Sequence, residues 1–121
     1  MKKCFFAFVA AVMALSVVAT GCSKKGGSGA EGKAKIGVSM PTQSLQRWNQ
    51  DGSNMKAQLE KAGYAVELQF GGDNDIPMQV GQIENMITGG VKALVIAAID
   101  GSSLTEVLKQ AKEKNIPVIA Y

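Results

Sequence analysis

Hydrophobic residues are distributed in two distinct ways along this chain. Residues 4–21 form one uncharged, mostly apolar block behind Lys2 and Lys3. From Lys35 onward, short apolar runs alternate with longer segments whose apolar residues recur every three or four positions. The first block is too short and too poorly flanked for a comfortable membrane span, and it ends in small residues, which predicts an export signal over residues 1–21. The second region predicts strands and helices in turn.

Residues 36–40 (IGVSM) read as a first strand, stopped by Pro41. A helix is expected over residues 45–62, with Trp48, Gly52, Met55, Leu59 and Ala62 on one stripe and Gly63 placed for a left-handed C-terminal cap. Residues 65–70 (AVELQF) alternate as a second strand and stop at Gly71-Gly72. Asp75 is a suitable N-cap, and Pro77 falls in the first turn, where its missing N–H costs nothing. Ile76, Val80, Ile83 and Ile87 then mark a one-faced helix ended by Gly89-Gly90. Residues 93–99 (ALVIAAI) are continuously apolar, as in a strand covered on both faces. Ser103-Leu104-Thr105-Glu106 matches a capping box, predicting a third helix that buries Leu104, Val107, Leu108 and Ala111 and ends near Asn115. Residues 116–121 (IPVIAY) form the fourth strand. Met55, Met78 and Met86 read as core filler.

The order β-α-β-α-β-α-β with right-handed crossovers gives a parallel sheet with helices on both faces, a doubly wound α/β fold. The fourth strand is apolar enough for a sheet interior yet closes the sequence. Residues 34–121 are therefore expected to be the incomplete first lobe of a larger protein.

Composition narrows the chemistry. The 121 residues carry 13 basic and 10 acidic side chains, and setting Lys2 and Lys3 aside with the signal leaves 11 against 10. A near-neutral chain with no basic cluster beyond Lys24-Lys25 offers no electrostatic footprint for nucleic acid. Histidine is absent, and Cys22 is the only cysteine outside the signal. Neither soft-metal clusters nor Ser-His-Asp or Cys-His sites can be assembled within these residues, and no cofactor is expected.

Ala19-Thr20-Gly21-Cys22 resembles a bacterial lipobox, with Cys22 as the acylated first residue of the mature chain. Each buried methylene contributes about 0.8 kcal/mol, so two or three acyl chains anchor firmly. The alternative is an ordinary secretory signal that leaves Cys22 a stray thiol. Residues 22–33 are rich in Gly and Ser with a few charges, the composition of a flexible tether.

In open parallel sheets ligands bind beyond the carboxyl ends of the strands. That directs attention to residues 41–48, 71–75 and 100–103, and to whatever follows Tyr121. The first of these places Gln43, Arg47 and Trp48 at the mouth of the sheet. A guanidinium can bond two adjacent sugar hydroxyls while an aromatic face covers the C–H patch of the ring. Trp48 also lies on its helix's apolar stripe and Arg47 on its surface, so a core residue beside a solvated charge is an equal reading. Residues 71–75 (GGDND) lack EF-hand, Walker or dinucleotide-loop spacing and read first as a loop with an N-cap. Asp100-Gly101 likewise reads as a turn before the Ser103 cap.

Arg47-Trp48, the QIENMI stretch at residues 82–87, GVKALVI at 90–96 and IPVIAY at 116–121 resemble the sugar-binding proteins of ABC importers. The likeness is strongest to the multiple-sugar-binding and xylose-binding members and spans residues 34–121. The resemblance implies two similar α/β lobes closing on a monosaccharide, with Arg47 bonding its hydroxyls, Trp48 stacking on its ring and Gln43 adding a polar contact. It also implies a ligand-contacting Asp-Arg pair after the Tyr121 position.

The resemblance further implies ABC permease subunits as partners and a periplasmic or cell-surface location through the lipid anchor. A sugar co-receptor that engages a chemoreceptor or sensor kinase is an alternative reading that can coexist with transport. Two other readings share the fold. An exported α/β enzyme would keep its catalytic residues beyond Tyr121. The effector lobe of a transcription regulator would need a helix-turn-helix where this chain has a signal and tether.

Overall fold

The structure is a computed structural model that describes residues 32–121. The expected export signal, Cys22 with its expected lipid and nearly all of the expected tether lie outside the described residues. Seven elements follow one another: β1 (Lys35–Met40), α1 (Gln46–Lys61), β2 (Ala65–Phe70), α2 (Ile76–Thr88), β3 (Ala93–Ile96), α3 (Thr105–Glu113) and β4 (Val118–Ala120). The strands form one parallel sheet in the order β2-β1-β3-β4. The alternation of elements, the parallel sheet and the covered faces agree with the expected doubly wound architecture.

Side-chain alternation along the strands separates two cores. Ile36, Val38 and Met40 of β1 face the same side as Val95 and Ala97, where Trp48, Met55 and Leu59 of α1 pack on them. Leu94 and Ile96 point the other way, into a cluster with Ile83, Met86 and Ile87 of α2 and Val107 and Ala111 of α3. Both helical layers sit close to the sheet because glycines leave room. A Cβ on Gly37 would lie 2.7 Å from both Leu94 Cδ2 and Met86 Sδ, and one on Gly52 would lie 3.1 Å from Leu68 Cδ1.

Helix boundaries follow local chemistry. Asp75 caps α2, its carboxylate accepting from the Met78 N–H at 2.9 Å, and Pro77 stands in the first turn. Gly63 and Gly90 take positive φ after α1 and α2, as expected of left-handed exits.

Four expectations need correction. The capping box at Ser103 does not form: α3 starts after Leu104, which carries no side-chain cap, because the Ser103 hydroxyl donates to Asp100 Oδ1 at 2.7 Å instead. A carboxylate three residues upstream is the stronger acceptor and takes the hydroxyl away from the helix. β3 ends at Ile96 rather than Ile99, since residues 97–99 turn out of the ladder to meet α2. β4 spans only Val118–Ala120 rather than residues 116–121, and it forms the uncovered edge that was expected of it, pairing only with β3 among the described residues, with Val118 and Ile119 38% and 57% exposed. Met78 is exposed on α2 rather than core, because that position falls off the apolar stripe running through Ile83 and Ile87.

Candidate functional site

The order β2-β1-β3-β4 places its topological switch between β1 and β3, since α1 leads to one side of β1 and α2 returns across to the other. The loops at the carboxyl ends of these strands therefore share one rim.

On the β1–β2 side of that rim the loops are tied together. Thr42 is fully buried and pairs with Asp73 in an isolated bridge. Its hydroxyl donates to Asp73 Oδ1 at 3.3 Å and accepts from the Ser44 N–H at 3.1 Å. Gly71 fits where no side chain could, since a Cβ there would lie 2.9 Å from Ile99 Cδ1 and 3.1 Å from the Pro41 carbonyl. Gln43 is exposed and lines a shallow open depression with Ser44, Gly72 and Asp73.

Arg47 and Trp48 lie in the first turn of α1 and belong to a different group. The Arg47 guanidinium carbon sits 4.8 Å from the centroid of the Trp48 ring, a cation–π distance. Tyr121, just past β4, meets the indole edge-on, with centroids 6.5 Å apart and planes inclined at 68°. Arg47 Nε pairs with Asp51 Oδ2 at 3.6 Å. Desolvation, reinforced by the Asp51 carboxylate, raises the Tyr121 phenol above its ordinary range, with Arg47 opposing. Trp48 is half-buried, so its inner edge completes the core beneath α1 while it meets Arg47 and Tyr121 at the rim. The core contact expected as one of the two readings is present, and the same ring also reaches the rim.

Under the rim lies a side chain that the sequence reading passed over. Gln79 of α2 is fully buried, and its amide donates to Ser39 Oγ at 3.1 Å and to the Ala97 carbonyl at 2.9 Å while accepting from the Ile99 N–H at 3.0 Å. It thereby fixes the exit of β3 against β1. Beyond it, Asp100 Oδ1 accepts from both the Ser102 and Ser103 hydroxyls and from the Ser103 N–H, which lowers its pKa to about 2.

Among the described residues no group of three or more His, Cys, Asp or Glu side chains could hold a metal ion, and no helix is long and apolar enough to cross a membrane. The rim instead offers a guanidinium, two aromatic rings, amides and hydroxyls, groups suited to a neutral polyol.

Residues 36–121 match the periplasmic binding protein domain. The chain belongs to the periplasmic binding protein family. Within it, the chain is 53% identical over 89 residues to the multiple sugar-binding periplasmic receptor ChvE of Rhizobium radiobacter, covering 74% of this chain and 25% of that protein. It is 38% identical over 89 residues to the D-xylose-binding periplasmic protein of Escherichia coli, covering 74% of this chain and 27% of the relative. Among solved structures, an ABC transporter solute-binding protein from Clostridium phytofermentans with bound β-D-glucose superposes with a TM-score of 0.70 at 63% identity, covering 72% of this chain and 26% of its own. The chain thus spans about a quarter of the length of the curated relatives it matches.

Of the residues singled out in the sequence, the fold brings Arg47 and Trp48 together and adds Asp51 and Tyr121, while Gln43, in the loop before α1, lines the open depression with Asp73. For Gln79 a signal existed, a glutamine on the apolar stripe of α2 between Ile76 and Ile83. For Asp51 and Tyr121 the signal is weak, since only the fold carries the end of β4 to α1.

Proposed function

We propose that this chain is the sugar-facing part of an exported solute-binding lipoprotein that captures a monosaccharide of the xylose, glucose and galactose class and delivers it to an ABC transporter. The observation that carries the reading is the corner made by Arg47, Trp48 and Tyr121 at the carboxyl ends of the strands. A sugar ring presents C–H bonds on its faces and hydroxyls around its edge, so an indole with a guanidinium over its ring brings groups for both demands to one corner. The names of the relatives, which bind several sugars, xylose or glucose, support the same class.

In this reading Gln43 adds a polar group from the loop that leads into α1, and a second lobe closes over the ligand. Closure selects a state that the permease, or a chemoreceptor or sensor kinase, would recognise. Capture and release require no catalytic group and no cofactor. Cys22 carries the lipid, and residues 22–33 let the binding domain stand off the membrane.

A thermal-shift screen of the complete gene product, started after Cys22, tests the reading with xylose, glucose, galactose, arabinose and ribose. A ligand at 100 times its Kd stabilises by about 2.7 kcal/mol, enough to raise Tm visibly. One or two of these sugars should do so, and a folded protein indifferent to all five would overturn the assignment. Detergent partition of the full precursor's product against a Cys22→Ser variant tests the anchor. Wild type should follow the membrane fraction and the variant should not, and a soluble wild type would refute lipidation.

A further inference from the structure

We propose that Asp51 is a positioning residue of the binding corner, holding the Arg47 guanidinium over the Trp48 indole and linking the start of α1 to Tyr121 at the end of β4. The proposal rests on the sugar-binding reading above and assigns a role within that site.

Three features of the corner lead to it. Arg47 and Asp51 are spaced i,i+4, yet the cation precedes the anion, the less favourable orientation for stabilising a helix, and an exposed pair of this kind contributes little to folding. The two partners are also unequal. The Asp51 side chain is 29% exposed and the Arg47 side chain 74%, so the acid is seated and the cation presented. Finally, Arg47 approaches Asp51 through Nε, so the carboxylate can hold the guanidinium without engaging its two terminal amino groups, which a ligand's hydroxyls could then meet.

An exposed arginine without such a partner samples many rotamers and must lose that freedom when it binds. Asp51 removes part of this cost beforehand. Tyr121 meets the same indole edge-on, and Asp51 and Arg47 of α1 act in opposite senses on its phenol, so in this proposal one carboxylate sets the place of both the cation and the second ring. Asp51 touches no sugar in this proposal and acts through Arg47 and Tyr121.

The test uses the complete gene product with Asp51→Asn and Asp51→Glu, and two readouts. The first needs no ligand: the alkaline absorbance titration of Tyr121, isolated by subtracting a Tyr121→Phe variant. Asp51→Asn should move the Tyr121 midpoint down toward the ordinary value near 10, and Asp51→Glu should keep it raised. The second is calorimetric affinity for the sugar that binds wild type. Asp51→Asn should weaken it about tenfold and Asp51→Glu should recover most of the loss.

An unmoved Tyr121 titration would overturn the proposal. So would sugar affinity within about twofold of wild type in a folded Asp51→Asn protein. If wild type binds none of the sugars, the sugar-binding reading fails by itself, and the titration still decides whether Asp51 holds the corner.

Discussion

Gln79 sits where α2 crosses the exits of β1 and β3, and truncating it to alanine removes a buried polar clamp rather than an apolar contact. Three hydrogen bonds go with the side chain: to Ser39 Oγ at 3.1 Å, to the Ala97 carbonyl at 2.9 Å and from the Ile99 N–H at 3.0 Å. A neutral bond of this kind contributes about 1 kcal/mol net, and a buried acceptor left without a partner costs about 1–3 kcal/mol more. Gln79→Ala should therefore destabilise by about 4 kcal/mol, a large share of the 5–15 kcal/mol typical of a domain. With a urea m-value near 3 kcal/mol/M, the midpoint of the complete gene product falls by about 1 M, read by far-UV circular dichroism. Gln79→Glu serves as a shape-preserving companion. At neutral pH it replaces the donor facing the Ala97 carbonyl with a buried acceptor, so it too should destabilise. Burial raises the pKa of that glutamate, and protonation restores a donor, so its deficit should shrink on mild acidification. A midpoint shift below about 0.3 M in Gln79→Ala would mean that water replaces the amide without loss, and the clamp reasoning would fail.

Other substitutions probe the remaining supports. Asp75→Ala removes the carboxylate that caps α2 through the Met78 N–H and should cost about 1 kcal/mol, measured by urea unfolding; an unchanged midpoint would deny the cap any role. Asp100 titrates at about 2 in the folded chain against 3.8 ordinarily, because it accepts from Ser102 and Ser103. A depressed folded-state pKa gives stability that is present above the unfolded value and lost as pH falls through the folded one. The wild-type Tm should thus drop more steeply between pH 4 and pH 2 than that of Asp100→Asn, and parallel curves would contradict the assignment. Gly71→Ala forces a Cβ to within 2.9 Å of Ile99 Cδ1 and 3.1 Å of the Pro41 carbonyl, so it should destabilise by about 1–3 kcal/mol and loosen the rim.

Much of the fold was legible because its signals are local. The continuous apolar run that opens with β3 and the three-to-four spacing along α2 depend only on neighbours in sequence, and Gly63 and Gly90 mark exits that need positive φ. Reading failed where two local options competed. Ser103 had a choice between capping α3 and bonding Asp100, and the charged acceptor won. Residues 97–99 are apolar enough for a strand, yet a side chain from α2, distant in sequence, captures their backbone instead.

The candidate site divides in the same way. Arg47 and Trp48 are adjacent, so their chemistry could be read from the sequence, and the structure adds that the indole serves the core and the rim together. Tyr121 is 73 residues beyond Trp48 and reaches it only because β3 and β4 lie in order beside β1. Gln43, two residues after Pro41, lines the depression with Asp73, a neighbour that only the fold supplies.

The measurement that bears most directly on the central claim is calorimetric titration of the complete gene product, beginning after Cys22, against xylose, glucose, galactose, arabinose and ribose. Arg47→Ala, Trp48→Ala and the milder Trp48→Phe would be titrated beside it. One or two sugars should bind tightly at one per protein. Each alanine variant should lose about 2 kcal/mol or more, roughly thirtyfold in affinity, while Trp48→Phe keeps the core filled and retains part of the binding. A folded wild type that binds none of the five, or a sugar bound as tightly by both alanine variants as by wild type, would contradict the account.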